Sequence, residues 1–312
     1  MREICLQRNL EILLMRVFVT GATGFIGMAV VSELIAAGHQ VLGLCRSPDK
    51  AAALAALGAE VHRGSTADRD SLETGAARSD GVIHLAFNHD FSKFKDNCED
   101  DRRVIRALGS ALAGSGRPLI VTSGTGMASS APGQPATEES AAVGSEVIPR
   151  AASEETAASV AADGVNVSVV RLPQVHDTVK QGLVTYAIAL AREKGSCAYV
   201  GDGHNRWPAA HLTDVARLYR LVIEKAEAGA RYHAVAEEGV SLKAMSEAIG
   251  RRLQLPVRSI APEEAQAHFG WLAMFASLDL AASSSQTRKR LGWQPTGPGM
   301  IADLEQLHIS DG

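Results

Sequence analysis

The sequence Thr20-Gly21-Ala22-Thr23-Gly24-Phe25-Ile26-Gly27 follows an apolar run, Met15 to Val19, and opens an apolar helical pattern that ends at Ala37. Each glycine has a use at such a strand-to-helix turn. Gly21 permits the sharp turn, Gly24 keeps side-chain atoms away from a pyrophosphate, and Gly27 lets helix and strand pack closely. Phosphate oxygens bind the free N–H groups of a helix N-terminus. The stretch therefore predicts a dinucleotide site, and a glycine-rich turn without a ligand is the alternative.

Short Val-, Ile- and Leu-rich runs alternate with helical patterns up to Leu172. Continuous apolar strands between helices are typical of a parallel sheet covered on both faces. The sequence therefore predicts an α/β protein with a Rossmann, doubly wound parallel sheet. The predicted strands are Arg16–Thr20, Val41–Cys45, Glu60–Arg63, Gly81–Ala86, Leu119–Ser123 and Asn166–Leu172. The predicted helices between them are Phe25–Ala37, Pro48–Leu57, Asp68–Ala77, Lys93–Ala113 and Ala151–Ala162.

Three regions are expected along the chain. Residues 1–14 carry polar and charged side chains unlike those of a secretory signal, and we expect them to be a non-native or flexible extension before a natural start at Met15. Residues 15–175 form the predicted dinucleotide-binding domain. In residues 176–312 Pro, Gly and His become frequent, which predicts a smaller C-terminal substrate-binding lobe, partly interleaved with the sheet. Helices are expected there at Leu183–Lys194, Leu212–Lys225 and Leu242–Arg252, and a strand near Val257–Ile260.

Composition narrows the class of protein and of partner. The chain has 312 residues, of which 46% are hydrophobic and 21% charged, so it can bury a large core. The net charge is −4 and no dense Lys/Arg cluster is present, which argues against a nucleic-acid or membrane partner and favours a small molecule. Four scattered cysteines without a C-x-x-C pair indicate neither a disulfide framework nor a metal site, and fit a cytoplasmic protein.

Arg46 follows the second predicted strand, where NAD-selective sites usually place Asp or Glu. No acidic residue lies between His39 and Pro48, and Arg46 with Ser47 offers a cation and a hydroxyl to a ribose 2′-phosphate. The sequence therefore predicts NADP(H) as the cofactor. A solvated charge at a strand end is the alternative interpretation of Arg46.

Further motifs extend the pattern of the glycine stretch. They are Val82-Ile83-His84-Leu85-Ala86, Val121-Thr122-Ser123-Gly124, Val170-Arg171-Leu172-Pro173 and Trp207-Pro208-Ala209-Ala210-His211-Leu212-Thr213-Asp214-Val215-Ala216. With these motifs the chain after Met15 resembles the extended and atypical short-chain dehydrogenase/reductases, including NAD-dependent epimerase/dehydratases and 3β-hydroxysteroid dehydrogenases.

The resemblance implies roles for several positions. Those implied to lie near the cofactor are Leu85, Ala86, Phe87, Leu172, Pro173 and Val175. Trp207 and His211 become candidates for the substrate pocket, and Asp214 is expected to cap a helix. Dimers formed through paired helices are common in the family, so a homodimer is expected by analogy.

The family's Tyr-x-x-x-Lys pair is missing from this chain. The tyrosines are Tyr186, Tyr199, Tyr219 and Tyr232, and none has Lys four residues later. The surrounding pattern puts Arg150 at the Tyr position, Glu154 at the Lys position and Gly124 at the catalytic Ser position. A positioned general acid contributes about 10²- to 10⁴-fold to a rate. Without one, we expect slower carbonyl reduction, but the reaction is not excluded, since orientation and hydride donation do not depend on that acid.

Other residues are candidates for the missing chemistry. The candidate proton donors are His89, Ser123, Thr125, His176 and His211, each of which can instead be a hydrogen-bonded loop residue. Arg150 can polarise a carbonyl or bind an acidic group, with Glu154 paired to it one turn later. A simple surface ion pair between these two residues is the alternative.

The segment His268–Phe275 combines aromatic side chains with Met near a glycine. Trp271 and Phe275 are therefore expected to wall an apolar substrate pocket, with ordinary core packing as the alternative. Trp293 resembles a C-terminal packing residue of the family.

These observations favour an NADPH-dependent oxidoreductase that reduces a ketone or aldehyde of a small, fairly apolar substrate with a proton from a donor other than tyrosine. A non-catalytic NADP(H)-binding sensor is a second hypothesis, which the missing Tyr and Lys motivate. A sugar-nucleotide epimerase or dehydratase is a third, and it depends more strictly on the missing Tyr.

Overall fold

The computed structural model describes residues 14–308. The expected extension, apart from Leu14, lies outside these residues. The strands are β1 (Arg16–Thr20), β2 (Gln40–Cys45), β3 (Glu60–Arg63), β4 (Gly81–His84), β5 (Pro118–Gly124), β6 (Asn166–Leu172), β7 (Gln174–His176), β8 (Cys197–Val200), β9 (Arg206–His211), β10 (Arg231–His233), β11 (Glu237–Ser241) and β12 (Val257–Ile260). The helices are α1 (Phe25–Ala36), α2 (Pro48–Ala56), α3 (Arg69–Ala77), α4 (Phe94–Leu112), α5 (Ala152–Ala162), α6 (Val184–Lys194), α7 (Leu212–Lys225), α8 (Leu242–Leu253), α9 (Ala265–Phe269), α10 (Ala273–Ala276), α11 (Ser285–Leu291) and α12 (Met300–Glu305).

The main sheet is parallel, with the strand order β10-β6-β5-β4-β1-β2-β3. From β1 the chain winds outward through β2 to β3, then crosses back to β4 and winds the other way. Ligands of such sheets bind at the carboxyl ends of the strands where the winding direction reverses, which here lies between β1 and β4. The predicted doubly wound α/β fold is confirmed.

Helices cover both faces of this sheet and form two separate apolar cores. On one face α1, α2 and α7 bury residues such as Val31, Leu54 and Leu218. On the other, α3, α4 and α5 bury residues such as Leu72 and Ile105. Strands buried on both sides lack polar alternation, which explains the continuous apolar runs in the sequence.

The C-terminal lobe has its own core and two small sheets, β11-β9-β7 and β12-β8. β10 lies in the region assigned to the lobe, yet it pairs with β6 at the edge of the main sheet, with Tyr232 in register with Val170. Asp214 accepts hydrogen bonds from the N–H groups of Thr296 and Gly297, at 2.9 and 2.7 Å, and thereby ties the start of α7 to the C-terminal segment.

Most predicted boundaries agree with the structure to within one residue, but the strand predicted over Gly81–Ala86 ends at His84. The N–H groups of Leu85 and Ala86 contact the Thr20 oxygens, at 3.3 and 3.4 Å, instead of continuing the ladder. No helix between residues 14 and 308 has an apolar stretch long enough to cross a membrane.

Candidate active site

The β1–α1 turn has the close approaches that the glycine pattern predicts. Gly21 has a φ of 69°, and a Cβ atom added there would lie 2.7 Å from the backbone nitrogen of Ala86. A Cβ at Gly27 would collide with the carbonyl oxygen of Gly21. Gly24 is exposed at the N-terminus of α1 and places no side chain between a phosphate and the helix N–H groups. The turn fits a dinucleotide pyrophosphate.

Most of the residues predicted to surround the cofactor lie in or beside the β1–α1 turn, directly after β4, or at the end of β6, at the carboxyl edge of the sheet. Those that are partly exposed are Thr23, Phe25, Ile26, Leu85, Ala86, Phe87, Leu172 and Pro173. Val175 is 4% exposed and packs in the core.

Two exposed arginines flank the place expected for the adenosine ribose. Arg46 directly follows β2, with Ser47 partly exposed beside it. Arg63 ends the neighbouring β3 in register with Cys45, and sequence reasoning missed it. Neither guanidinium has an ion-pair partner within residues 14–308, so both remain available to an anion.

Arg150 occupies a 3-10 turn (Pro149–Ala151) before α5, and its side chain is 13% exposed. Its Nη1 donates to Asp101 Oδ2 at 3.1 Å and to Ser153 Oγ, while its Nη2 donates to the carbonyl of Thr122 at 3.0 Å. The guanidinium carbon lies 4.2 Å from the centroid of the Phe87 ring. These contacts use three of the five N–H donors of the guanidinium. The other two have no partner within residues 14–308.

Asp101 holds this arginine from the third turn of α4. Burial would raise the pKa of the Asp101 carboxyl, but the charge of Arg150 and hydrogen bonds from His84 and Ser153 outweigh that effect and lower the pKa to about 2. The carboxylate is therefore ionised at neutral pH. His84 Nε2 contacts Asp101 at 2.9 Å and its Nδ1 contacts Thr20 Oγ1 at 2.6 Å, so the chain of hydrogen bonds ends beside the glycine turn.

Glu154 does not pair with Arg150, contrary to both alternatives in the sequence analysis. It receives two hydrogen bonds from Arg171, at 2.8 and 2.7 Å, and one from Ser123 Oγ at 2.7 Å. The alternative of a surface pair between Arg150 and Glu154 is wrong as well, because Glu154 is 8% exposed and the Arg150 side chain 13% exposed. The pairing follows from the helix geometry: Arg150 precedes α5 in a tighter turn, while Glu154 faces the sheet from its first turn.

The buried network continues to β10. Arg171 Nη1 lies 3.3 Å from His233 Nε2, and His233 Nδ1 lies 2.8 Å from the carbonyl of Ser283. Burial, assisted by the charge of Arg171, lowers the pKa of His233 to about 4. The ring is thus neutral at pH 7 and accepts a hydrogen bond from Arg171.

The hydroxyl candidates point away from the cleft. Ser123 is 4% exposed and its hydroxyl donates to Glu154. Thr125 is 5% exposed and donates to the carbonyl of Leu172 at 3.3 Å. Both therefore hold the ends of β5, α5 and β6 in place.

The histidine candidates are separated by the fold. His89 is exposed at the cleft mouth after β4, where desolvation and the nearby charge of Arg150 lower its pKa. His176 is fully buried and its Nδ1 is held by Asp303 at 2.6 Å. His211 caps α7: its Nδ1 accepts from the Thr213 N–H at 3.3 Å, so the expectation that Asp214 is the cap is wrong. Asp214 lies three residues further on and binds the C-terminal segment instead.

An aromatic strip runs from Arg150 to the lobe and includes residues that the sequence analysis did not select. Its members are Phe87, His89, Phe91, Phe94, Tyr186, Trp271 and Phe275, each within 6.5 Å of a neighbouring ring centroid. The sequence held a signal for this strip, because three of the seven phenylalanines lie within residues 87–94.

Trp207 is not part of the strip: it is 1% exposed in the lobe core. Trp293, expected to be structural, is buried and donates to the Asp214 carbonyl at 3.0 Å.

A parallel doubly wound sheet with a tight glycine turn at the point of reversal is typical of dinucleotide-binding α/β proteins. The chain matches the NAD dependent epimerase/dehydratase family over residues 17–236, and it belongs to that family.

Individual proteins are also similar to this chain over most of its length. An uncharacterised protein of Schizosaccharomyces pombe is 48% identical over 291 residues, which span 93% of this chain and 98% of the relative. An uncharacterised protein of Saccharomyces cerevisiae is 43% identical, with 93% of this chain and 98% of the relative covered. Among solved structures, a dTDP-glucose 4,6-dehydratase of Streptomyces venezuelae with NAD and TYD bound superposes with a TM-score of 0.74 at 20% identity, covering 94% and 96% of the two chains. This last similarity concerns the fold alone.

Proposed function

We propose that the protein is an NADPH-dependent reductase of a ketone or aldehyde on a small, apolar molecule, in which Arg150 takes over part of the role of the missing tyrosine. The observation that carries this proposal is the arginine itself. It is fixed on three sides by Asp101, Ser153 and the Thr122 carbonyl, and two of its N–H donors have no partner within residues 14–308.

The bound nicotinamide would supply the hydride. Arg150 then stabilises the negative charge that develops on the carbonyl oxygen, and its position is set before the reaction begins. Preorganised donors of this kind contribute about 10²- to 10³-fold to kcat. An arginine cannot serve as the proton source, since its pKa lies far above neutrality.

His89 is the proton donor in this proposal. It is an exposed residue directly after the β4 segment, its ring packs against Phe87, and it lies near enough to Arg150 for that charge to lower its pKa. Ser123, Thr125 and His176 are buried and already engaged.

The choice of NADPH over NADH rests on Arg46 and Ser47, with Arg63 as a second cation. Two guanidinium groups at adjacent strand ends match a doubly charged phosphate, and no carboxylate lies between residues 39 and 48 to hold a ribose hydroxyl.

Purified protein tests the proposal through NADPH oxidation across aldehydes, aliphatic ketones and aryl ketones, with cofactor binding measured separately. We expect carbonyl-dependent turnover, and a fall in kcat of about 10²- to 10³-fold in Arg150→Met with the Kd for NADPH unchanged. Arg150→Lys keeps the charge opposite Asp101, so it controls for misfolding and should retain more activity than Arg150→Met.

The same assay run across pH tests the proton donor. A donor must be protonated, so wild-type kcat/KM should rise as pH falls toward the lowered pKa of His89, and His89→Asn should flatten this rise. Firm NADPH binding without turnover on any carbonyl would contradict the reductase and favour the sensor. Turnover of a nucleotide sugar with a retained, recycled NAD would favour the epimerase.

A further inference from the structure

The aromatic strip joins two parts of the molecule through ring contacts. Phe91, between β4 and α4, stacks on Trp271 of the lobe with a centroid distance of 4.2 Å and an interplanar angle of 15°. Tyr186 of α6 packs edge-on against both rings, at 5.9 and 5.0 Å. The strip begins at Phe87, whose ring lies under the guanidinium of Arg150.

Part of this surface remains open to solvent. Trp271 is 39% exposed and Tyr186 is 40% exposed, whereas Trp207 and Trp293 are each 1% exposed. Met274, near Trp271 in the chain, is 58% exposed. Large apolar side chains grouped at the edge of a cleft are typical of a ligand-binding surface rather than of core packing.

Segment 85–93 and the lobe meet through ring contacts. Within the described part of the chain, hydrogen bonds of this segment run to its own residues, to Thr20 and to Asn97, and none reaches α6 or residues 270–276. The packing of Phe91 against Trp271 and Tyr186 is therefore not tied by a hydrogen bond. A flat ring can replace either partner without breaking a polar contact.

We infer that the strip binds a planar aromatic ring of the substrate, so that the substrate class is an aryl or fused-ring carbonyl compound with its oxygen directed to Arg150. This inference rests on the proposed function and adds the chemical class. The flat faces of Phe91 and Trp271 favour offset stacking with another aromatic ring over contact with a puckered saturated ring.

The test compares the binding of 2-tetralone and 2-decalone, which share a carbon skeleton and a carbonyl position but differ in one aromatic ring. Binding is followed by tryptophan fluorescence in the presence of NADP⁺, so it does not depend on turnover. Because Trp271 is the exposed tryptophan, 2-tetralone should quench its emission. We expect 2-tetralone to bind about fivefold more tightly than 2-decalone.

Variants of the strip supply matched controls. Phe91→Leu and Trp271→Leu should abolish the preference for 2-tetralone, while Phe91→Tyr and Trp271→Phe, which keep a ring, should preserve it. Isothermal titration measures binding in the Trp271 variants, because they lack the fluorescent reporter. The Kd for NADPH should not change in any of them. Equal binding of the two ketones by wild type, binding of neither, or an unchanged preference in both Leu variants would overturn the inference.

The two proposals fail separately in this design. Preferential binding of 2-tetralone without reduction of any carbonyl would contradict the reductase and support the aromatic site. Reduction of both ketones with equal Kd values would support the reductase and contradict the aromatic site.

Discussion

Arg150 and Glu154 lie four residues apart, yet each binds a partner from a distant part of the chain. Arg150 pairs with Asp101 of α4, and Glu154 pairs with Arg171 of β6. Both pairs are buried, so each charge is kept in one position by its partner rather than by solvent. Arg150 is thereby fixed between α4 and the end of β5, the geometry on which its proposed role depends.

The proposed preference for NADPH depends on Arg46. Replacing it with Asp should weaken NADPH binding about ten- to hundredfold, because a charge-assisted hydrogen bond to the 2′-phosphate is lost and a repulsive carboxylate is added. NADH binding should change much less, since its ribose 2′-hydroxyl can donate a hydrogen bond to the introduced carboxylate as readily as to water. Isothermal titration with both cofactors measures the difference.

A matched control for this substitution is Arg192→Asp, which changes the same charge on the exposed face of α6, away from the strand ends. It should leave both affinities unchanged. Equal losses of NADPH and NADH affinity in Arg46→Asp would contradict the assignment of this residue.

At the scale of elements, the β1–α1 unit is held by close backbone packing. A Cβ atom at position 27 meets the backbone of Gly21 and Ala22, neither of which can move as a flexible side chain does. The element therefore depends on glycine at this position for its geometry, and the helix N-terminus depends on that geometry to present its N–H groups.

Gly27→Ala should accordingly reduce the free energy of unfolding by about 1–3 kcal/mol, the usual cost of overpacking, and should also weaken NADPH binding. Urea denaturation and cofactor titration measure the two effects. Gly126→Ala is the stability control, because the nearest heavy atom to an added Cβ there lies 4.0 Å away. A Gly27→Ala protein as stable as Gly126→Ala, with wild-type NADPH affinity, would show that the turn has room to adjust.

At the scale of the whole molecule, buried charges connect the sheet, α5 and the C-terminal part. Arg171 joins Glu154 of α5, the Ser140 carbonyl and His233 of β10. β10 itself is held by Thr287, whose hydroxyl accepts the His233 N–H at 2.8 Å. The lobe and the dinucleotide domain are therefore linked through the edge of the sheet.

Glu154→Gln should destabilise the protein by about 3–5 kcal/mol, because it leaves the fully buried Arg171 without a countercharge. Chemical denaturation gives the free energy of unfolding. Glu305→Gln removes the carboxylate of the exposed Arg251–Glu305 pair and should cost less than about 1 kcal/mol. Similar losses in the two variants would mean that Arg171 is solvated or finds another partner.

Local pattern was enough to predict the α/β class, the glycine turn and most strand and helix bounds, since apolar periodicity and glycine position act over a few residues. The predicted bounds of β1 (Arg16–Thr20) and of α7 (Leu212–Lys225) agree with the structure at both ends. Pattern missed the strands β7 to β11 and the short helices α9 to α12. One of these strands, β10, has three residues and pairs along the edge that β6 offers.

The partners of the charged residues came from three-dimensional packing. Arg150 and Glu154 have the spacing of a helical ion pair, but Arg150 lies in a 3-10 turn before α5, which directs the two side chains apart. Arg150 binds Asp101 instead, and Glu154 binds Arg171. The aromatic strip likewise collects rings separated by more than a hundred residues in the chain, such as Phe91 and Trp271. Such contacts depend on how the lobe folds back over the sheet, which no local spacing encodes.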